Sequence, residues 1–128
     1  MTSSRTPEEM PRLWAETFVA GDLDALVALY EADAILVAQP GEVVTGIEGI
    51  REALSAFLAT RPTFNLEVRE VLQTGDIALS FADWTLRGTG PDGEAIEMAA
   101  QTSDVLRRQP DGTWRFAIDN PYGSAHGF

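Results

Sequence analysis

Asp104 is the residue of this sequence that is best placed to do chemistry. The side chains that share its face of a predicted strand, by the period of two, are Ile96, Met98, Thr102 and Leu106. If this face lines a cavity, the pKa of the carboxyl is raised because burial disfavours its charged form, and it can then act as a general acid or a proton-sharing donor. The alternative is a surface aspartate that pairs with Arg107 or Arg108.

Two neighbouring strands carry further polar candidates. Asp83 interrupts an apolar face that it shares with Leu79 and Phe81. It therefore lies in a pocket as a ligand contact, at a rim, or in a pair with Arg87. Gln101 is a second polar side chain that could contact a ligand.

The end of the last predicted strand offers an amide and a carboxyl. Trp114, Phe116 and Ile118 alternate with other residues, and this period predicts that Asn120 shares their apolar face and that Asp119 does not. Asn120 is therefore a candidate ligand contact. The Asn-Pro sequence also favours a turn, and both interpretations stay open.

Aromatic residues suggest either a core or a ligand surface. Trp14, Trp84 and Trp114 belong to different predicted elements. They fit a core or a dimer interface, and equally a planar hydrophobic ligand that stacks on them. Tyr30 fits the core as well, although a phenol at a pocket mouth also makes a good ligand contact.

Composition excludes several classes of function. The chain has 128 residues, a net charge of −11, no cysteine and one histidine. The charge opposes binding to nucleic acid and to anionic membrane surfaces. Without cysteine there is no disulfide or thiolate site, and with only His126, expected in a frayed tail, no multi-histidine metal site. We expect no metal, no membrane span, no secretory signal, a cytoplasmic location and one domain over 1–128, with an ordered core of about 6–123.

The elements that must position these residues follow from periodicity and from turn signals. Thr6 and Asp22 are predicted to cap the first two helices, which run to Gly21 and to about Glu31. A strand at 34–38 and a return strand at 43–44 form a small hairpin. A second capping box at 45–48 starts a third helix, which ends before Pro62.

After Pro62 the apolar period changes to two. Strands are predicted near 64–68, 77–89, 94–109 and 114–118, with turns at 75–76, 90–93 and 110–113. The predicted fold is therefore α+β, a cone-shaped roll in which three helices pack on one face of a curved antiparallel sheet. A sheet that curves in this way is expected to leave an apolar cavity at the open end of the cone.

Three stretches carry a family resemblance. They are "AGDLDALVALYEADAILVAQPG" (20–41), "TGIEGIREAL" (45–54) and "DVLRRQPDGTWRFAIDNPYG" (104–123). The chain resembles the nuclear transport factor two-like (NTF2-like) superfamily, in its ketosteroid isomerase-like and SnoaL-like bacterial branches. The resemblance implies a homodimer that forms through the outer face of the sheet.

The resemblance also allows a comparison of roles. Ketosteroid isomerases use an aspartate before the proline of the first strand as the base, with a helix-one tyrosine and a late-strand aspartic acid as donors. The matching positions here are Gln39 (or Ala38, aligned without a gap), Trp14 and Asp104. Neither Gln39 nor Ala38 can act as a general base, so the resemblance does not imply steroid isomerisation by that mechanism.

These observations lead to two hypotheses. The first is a binder of a small apolar molecule, such as a polyketide- or terpenoid-like carbonyl compound, with cofactor-free isomerisation, cyclisation or dehydration. Asp104 would be the acid, and Trp14, Tyr30 and Gln39 would orient the substrate. The second is a non-catalytic ligand carrier or dimerisation module, which the missing base favours.

Overall fold

The computed structural model describes residues 4–123, and over that range three helices pack on one face of a six-stranded sheet. The helices are α1 (Met10–Val19), α2 (Leu23–Val27) and α3 (Ile47–Leu58). The strands are β1 (Tyr30–Gln39), β2 (Glu42–Thr45), β3 (Thr63–Thr74), β4 (Ile77–Thr89), β5 (Ala95–Arg108) and β6 (Trp114–Asp119). The predicted α+β fold is confirmed. Among these helices none is long and apolar enough to cross a membrane.

The strand order is β2-β1-β6-β5-β4-β3. Strands β3 to β6 form the predicted antiparallel meander, and β1 and β2 form the predicted hairpin. The hairpin joins the meander through a parallel pairing of β1 with β6, so the sheet is mixed and not antiparallel throughout. This pairing brings residues from the two ends of the chain side by side.

The starts of the helices differ in part from the predicted caps. Asp22 caps α2 as predicted, since its Oδ1 accepts from the backbone N–H of Ala25 at 3.1 Å. The predicted capping box at Thr6 is wrong, because the Thr6 hydroxyl donates to the Glu9 carboxylate at 3.0 Å and caps no backbone group. The N-cap of α3 is Gly46, at φ 89°, with no side-chain cap.

The second helix is shorter than its apolar spacing predicts. It ends at Val27, and Tyr30 is the first residue of β1. The backbone N–H of Phe116 donates to the Leu29 carbonyl at 2.8 Å. The chain therefore pairs with β6 at the point where the helix would have continued. Tyr30 is only 1% exposed and points into the core from the sheet.

A β-bulge in β6 changes which side chains face inward. Leu106 pairs with Phe116 while Val105 pairs with Ile118, so Ala117 is an extra residue without its own partner. The alternation shifts by one at this point. Ile118 is 38% exposed and Asp119 is 6% exposed. The predicted inward positions of Ile118 and Asn120 are therefore wrong, and Asp119 takes the inward place.

The face of the sheet away from the helices carries an apolar row, which we call the outer row. Cross-strand pairing aligns its members in register across five strands. They are Leu72, Leu79, Val105, Ile118 and Ile35. All five are at least partly exposed. An apolar row of this length on an open sheet face is a surface that another protein could cover.

Candidate functional site

A cavity lies between α1, α3 and the inner face of the sheet. It holds about 620 Å³ of space that protein atoms leave unfilled, counted out to its open mouth. Its aromatic lining residues are Trp14, Phe18, Phe57, Phe64, Trp84, Phe116 and Tyr122. Thr102, Asp104 and Asp119 also line it, and no lysine, arginine or histidine within 4–123 does. The cavity is therefore an apolar, partly aromatic space with two carboxyl groups in its wall.

Asp104 lies on the inner face of β5 and is 4% exposed. Its Oδ1 accepts two hydrogen bonds, from the Thr102 hydroxyl at 2.6 Å and from the backbone N–H of Asn120 at 3.0 Å. Thr102 is two residues away on the same strand face, and Asn120 follows the end of β6. The register of β5 with β6 therefore holds one carboxyl oxygen in a fixed direction.

Asp119 enters the same wall from β6 because of the bulge at Ala117. Its Oδ2 accepts a hydrogen bond from the Tyr30 hydroxyl at 2.5 Å. The Tyr30 oxygen in turn accepts from the indole N–H of Trp14 at 2.8 Å. A chain of donors thus runs from α1 through the start of β1 to a carboxylate at the end of β6.

Burial and mutual charge set the protonation of the two acids. The pKa of Asp104 is raised well above its ordinary value, first by burial, then by the charge of Asp119 and a hydrogen bond to it. Burial also raises the pKa of Asp119, while hydrogen bonds from Asp104 and Tyr30 oppose that rise. Two buried carboxyls that interact in this way do not both ionise readily, so the pair favours holding one proton.

Tyr30 keeps its own proton. Burial, followed by the charge of Asp119, raises its pKa well above the ordinary value for tyrosine. The hydroxyl is therefore a permanent donor to Asp119. Tyr30 does not line the cavity, so it acts on Asp119 and not on a ligand, in contrast to the expected ligand contact.

Of the predicted site residues Trp14 and Gln39, only Trp14 lies in the cavity wall. Trp14 lines the cavity, but its N–H is taken by Tyr30, so only its ring faces a ligand. Gln39 is exposed at the end of β1, beside an irregular pairing with Glu42, and does not line the cavity. The position before the proline therefore supplies no group to this site.

Asp83 and Gln101 lie together on the opposite face of the sheet. The Gln101 amide donates to Asp83 at 3.0 Å, and the Arg69 guanidinium donates to the same carboxylate at 2.6 Å. These hydrogen bonds, with Arg69 first, lower the pKa of Asp83. The neighbouring Trp84 takes the inward direction. The expected pocket contacts of Asp83 and Gln101 are thus not made in this cavity.

The segment after β6 closes one side of the cavity. The Tyr122 hydroxyl donates to the Ala38 carbonyl at 3.1 Å, and the Trp84 indole N–H donates to the Pro121 carbonyl at 2.7 Å. The Asn120 amide donates to the Gly123 carbonyl at 3.0 Å, so Asn120 serves the site through its backbone N–H and not as the expected ligand contact.

Sequence reasoning missed Asp119, Tyr122 and the link from Tyr30 to Asp119. The available signal is the apolar run at 116–118, which breaks strict alternation and is compatible with a bulge. His126 lies outside the described residues. Within 4–123, no group of three metal-binding side chains is close enough to hold a metal ion.

Comparison with known proteins places this chain in a family. The sequence model of the SnoaL-like domain matches residues 12–117. No curated protein matches the chain. A ketosteroid isomerase-like protein from Erwinia carotovora atroseptica has a similar structure, with a TM-score of 0.78, 23% identity and 88% of each chain covered.

Two further solved structures share the fold. A protein from Streptomyces avermitilis, assigned as a dehydratase of the NTF2-like family, gives a TM-score of 0.74 at 21% identity, covering 88% of this chain and 90% of its own. SalBIII, an epoxide hydrolase/cyclase-like enzyme in pyran ring formation of the polyether salinomycin, gives 0.71 at 18%, covering 90% and 88%. The sequence match over most of the chain shows that this chain belongs to the SnoaL-like domain family, and it shares the fold of NTF2-like proteins.

Proposed function

We propose that the cavity binds a small neutral molecule and that its acid pair performs cofactor-free proton transfer on it. The observation that carries this proposal is the pair Asp104 and Asp119, buried in the wall of a mostly apolar cavity. The reaction type is isomerisation, cyclisation or dehydration. The substrate class is a largely apolar carbonyl compound of the polyketide or terpenoid kind.

The lining supports a neutral, flat ligand. Aromatic faces supply contact area for a planar molecule. An anionic ligand would meet two carboxyls and no cation of the lining. Since burying an unpaired charge is costly, the cavity favours uncharged molecules.

Asp104 is the acid in this proposal. A carboxyl whose pKa is raised by burial holds its proton to higher pH than an exposed aspartate does, and it can give that proton to a carbonyl oxygen. The fold is shared with proteins named as isomerase-like, dehydratase and cyclase-like, and we extend that range of chemistry to this chain as a proposal. At the position of the ketosteroid isomerase base this chain has Gln39 or Ala38 and no acid, so the proposed chemistry does not use that position.

A second candidate is a ligand carrier without catalysis. It is favoured by the hydrogen bonds that the two acids already make within the protein, to Thr102, Asn120 and Tyr30. In a carrier, the pair would only accept or donate one hydrogen bond to orient a ligand. An enzyme that uses Asp104 as its acid loses turnover when this residue can no longer give a proton, whereas a carrier still binds its ligand.

We also propose that the protein is one domain and a homodimer, with the outer row as the interface. The row is apolar, continuous across five strands and partly exposed, and Asp83, Arg69 and Gln101 flank it with polar groups. This arrangement of an apolar centre with a polar edge is typical of protein interfaces.

The experiment that tests the function starts with the protein as purified. Native mass spectrometry followed by organic extraction identifies any bound small molecule, and compounds of that chemical class are then assayed for turnover. Asp104→Asn is expected to keep ligand binding, measured by tryptophan fluorescence, and to lose turnover by about 100-fold or more if Asp104 is a general acid. No turnover in either protein with binding kept supports the carrier, and equal turnover in both would overturn the role of Asp104 as the acid.

A further inference from the structure

We propose that the cavity also binds organic monocations, namely quaternary or protonated amines with apolar substituents, and that such a cation takes the place of a proton in the acidic wall. This inference rests on the proposed function, because it uses the same cavity, and it adds a second class of ligand. It follows from which groups the lining offers to a ligand and which groups are already bonded within the protein.

The hydrogen-bond donors of the described lining are already used within the protein. Apart from the two acids, four lining side chains carry an N–H or an O–H, and each donates to a protein oxygen: Trp14 to Tyr30, Trp84 to the Pro121 carbonyl, Tyr122 to the Ala38 carbonyl and Thr102 to Asp104. This lining therefore offers a ligand carboxyl oxygens and aromatic faces, and a carboxyl proton is its one uncommitted donor.

Five rings of the lining contact one another and form a surface that we call the aromatic wall. Their centroids lie between 4.8 and 5.9 Å apart in successive pairs: Trp14 with Phe18, both of these with Phe64, Phe64 with Trp84, and Trp84 with Tyr122. The face of an aromatic ring carries partial negative charge and attracts a cation, most strongly where water is excluded. The aromatic wall is therefore a suitable surface for an organic cation.

The aromatic wall ends beside the two acids. The Trp84 indole N–H donates at 2.7 Å to the carbonyl of Pro121, which follows two residues after Asp119, and Tyr122 comes next in the chain. Asp104 and Asp119 line the same cavity as these rings and are 4% and 6% exposed. A ligand that lies against the rings is therefore also close to the carboxyls.

Positive charge is the complement of this surface. A carboxylate in the wall has no cation of the described lining as a partner, and burying an unpaired charge is costly. A neutral ligand leaves that charge unpaired, whereas a monocation pairs with it. The preference for uncharged ligands therefore belongs to the fully protonated wall, and a cation is the better match once one acid is ionised. The net charge of −11 also attracts cations to the cavity mouth.

Four titratable groups determine how this binding depends on pH. Asp104 on β5 and Asp119 on β6 line the cavity, and burial raises the pKa of each. Tyr122 in the closing segment and Tyr30 on β1 keep their protons at neutral pH, since burial raises the pKa of both. The side chains that α1, α3, β1, β3 and β4 contribute to the described lining are uncharged. A cation favours the ionised form of a nearby carboxyl, so its affinity should rise with pH.

Phenyltrimethylammonium and tert-butylbenzene are a matched pair of probes, because they have nearly the same shape and differ in a cationic nitrogen replaced by carbon. Tryptophan fluorescence measures their binding from mildly acidic to mildly alkaline pH, since Trp14 and Trp84 lie in the cavity wall. We expect the affinity of the cation to rise by about fivefold or more over this range, with a limit of about tenfold per pH unit for one proton, and that of tert-butylbenzene to stay within about twofold. A cation affinity that does not rise, or rises only as much as that of the neutral probe, would overturn the proposal.

The acids are tested by the double variant Asp104→Asn/Asp119→Asn, which leaves no titratable acid in the wall. At mildly alkaline pH it should bind the cation about tenfold or more weakly than the wild type, without the pH dependence, and bind tert-butylbenzene within about threefold. Asp83→Asn is the matched control, because it removes an acid that pairs with Arg69 on the opposite face of the sheet, and it should change neither affinity. Full cation binding by the double variant, or an equal loss in Asp83→Asn, would contradict the inference.

The outcomes separate this inference from the proposed function. Binding of tert-butylbenzene without binding of phenyltrimethylammonium overturns the inference and leaves the proposed function standing. Binding of the cation alone supports the inference and overturns the proposed preference for neutral ligands, and failure of both probes to bind overturns both proposals. Thermal unfolding shows whether the double variant is folded, and the pH series on the wild type decides the proposal without it.

Discussion

The two buried aspartates lower the stability of the folded protein at neutral pH, an effect that an entirely apolar core would not have. A carboxyl whose pKa is raised on folding favours its protonated form in the native state more than in the unfolded chain. The stabilising effect of protonation is complete below the ordinary pKa, which is 3.8 for Asp104, and is lost as pH rises toward the raised value. At neutral pH, this group therefore works against folding.

Asp104→Asn is therefore expected to raise stability at neutral pH. The asparagine oxygen can still accept from Thr102 and Asn120, and folding no longer requires a proton at this position. Because the pKa of Asp104 is raised on folding, we expect the variant to be more stable than the wild type at neutral pH. Urea unfolding at several pH values measures it, and the gain should shrink as the pH approaches 3.8.

Asp83→Asn is the control for this prediction because its shift has the opposite sign. Arg69 lowers the pKa of Asp83. The ionised carboxylate of Asp83 therefore stabilises the folded state at pH values above the ordinary pKa of aspartate, and Asp83→Asn should not gain stability at neutral pH. A gain of the same size in both variants would mean that general charge reduction on an acidic protein, and not burial of Asp104, is the cause.

At the scale of elements, the sequence predicted what is local and periodic. The helices, the strands of the meander and the inward face of Asp104 follow from apolar spacing and turn residues. The end of α2 and the direction of Asp119 do not, because both depend on how β6 docks against β1 and β5. A bulge leaves one residue of a strand without a cross-strand partner. The alternation of apolar residues within a single strand does not show which residue that is.

The start of α3 provides a test of local backbone geometry. Gly46 has φ 89°, which side chains rarely adopt, while Gly49 lies inside the helix, where a Cβ would make an ordinary contact of 3.4 Å with Val44. Gly46→Ala should cost about 1 kcal/mol or more, whereas Gly49→Ala should be neutral or stabilising by up to about 1 kcal/mol.

Chemical unfolding of the two glycine variants beside the wild type decides this prediction. If Gly46→Ala were as stable as Gly49→Ala, the connection from β2 to α3 would not need the left-handed conformation. The nearest atom to a Cβ at Gly46 is the Ala32 carbonyl oxygen at 4.0 Å, so a loss of stability would come from the backbone and not from a clash.

At the scale of the whole molecule, the proposed dimer predicts which exposed residues of the open sheet face are buried between two copies of the chain. Ile118 lies in the outer row, and Val43 is 56% exposed on β2, outside that row. Sedimentation of the wild type should show a dimer. Ile118→Lys should shift it to monomer, since an apolar contact would be replaced by a buried charge, while Val43→Lys should leave it dimeric. A monomeric wild type would contradict the interface.

The parallel pairing of β1 with β6 has a consequence for folding. Tyr30 and Asp119 are 89 residues apart in sequence, and their contact forms only when the last strand is inserted beside the first. Until then Asp119 is hydrated and ionised near neutral pH, and so is Asp104. Insertion of β6 buries the two carboxyls side by side and raises the pKa of both, so it favours uptake of a proton from the solvent. Completion of the sheet is therefore also a protonation reaction, and refolding should slow as the solution becomes more alkaline.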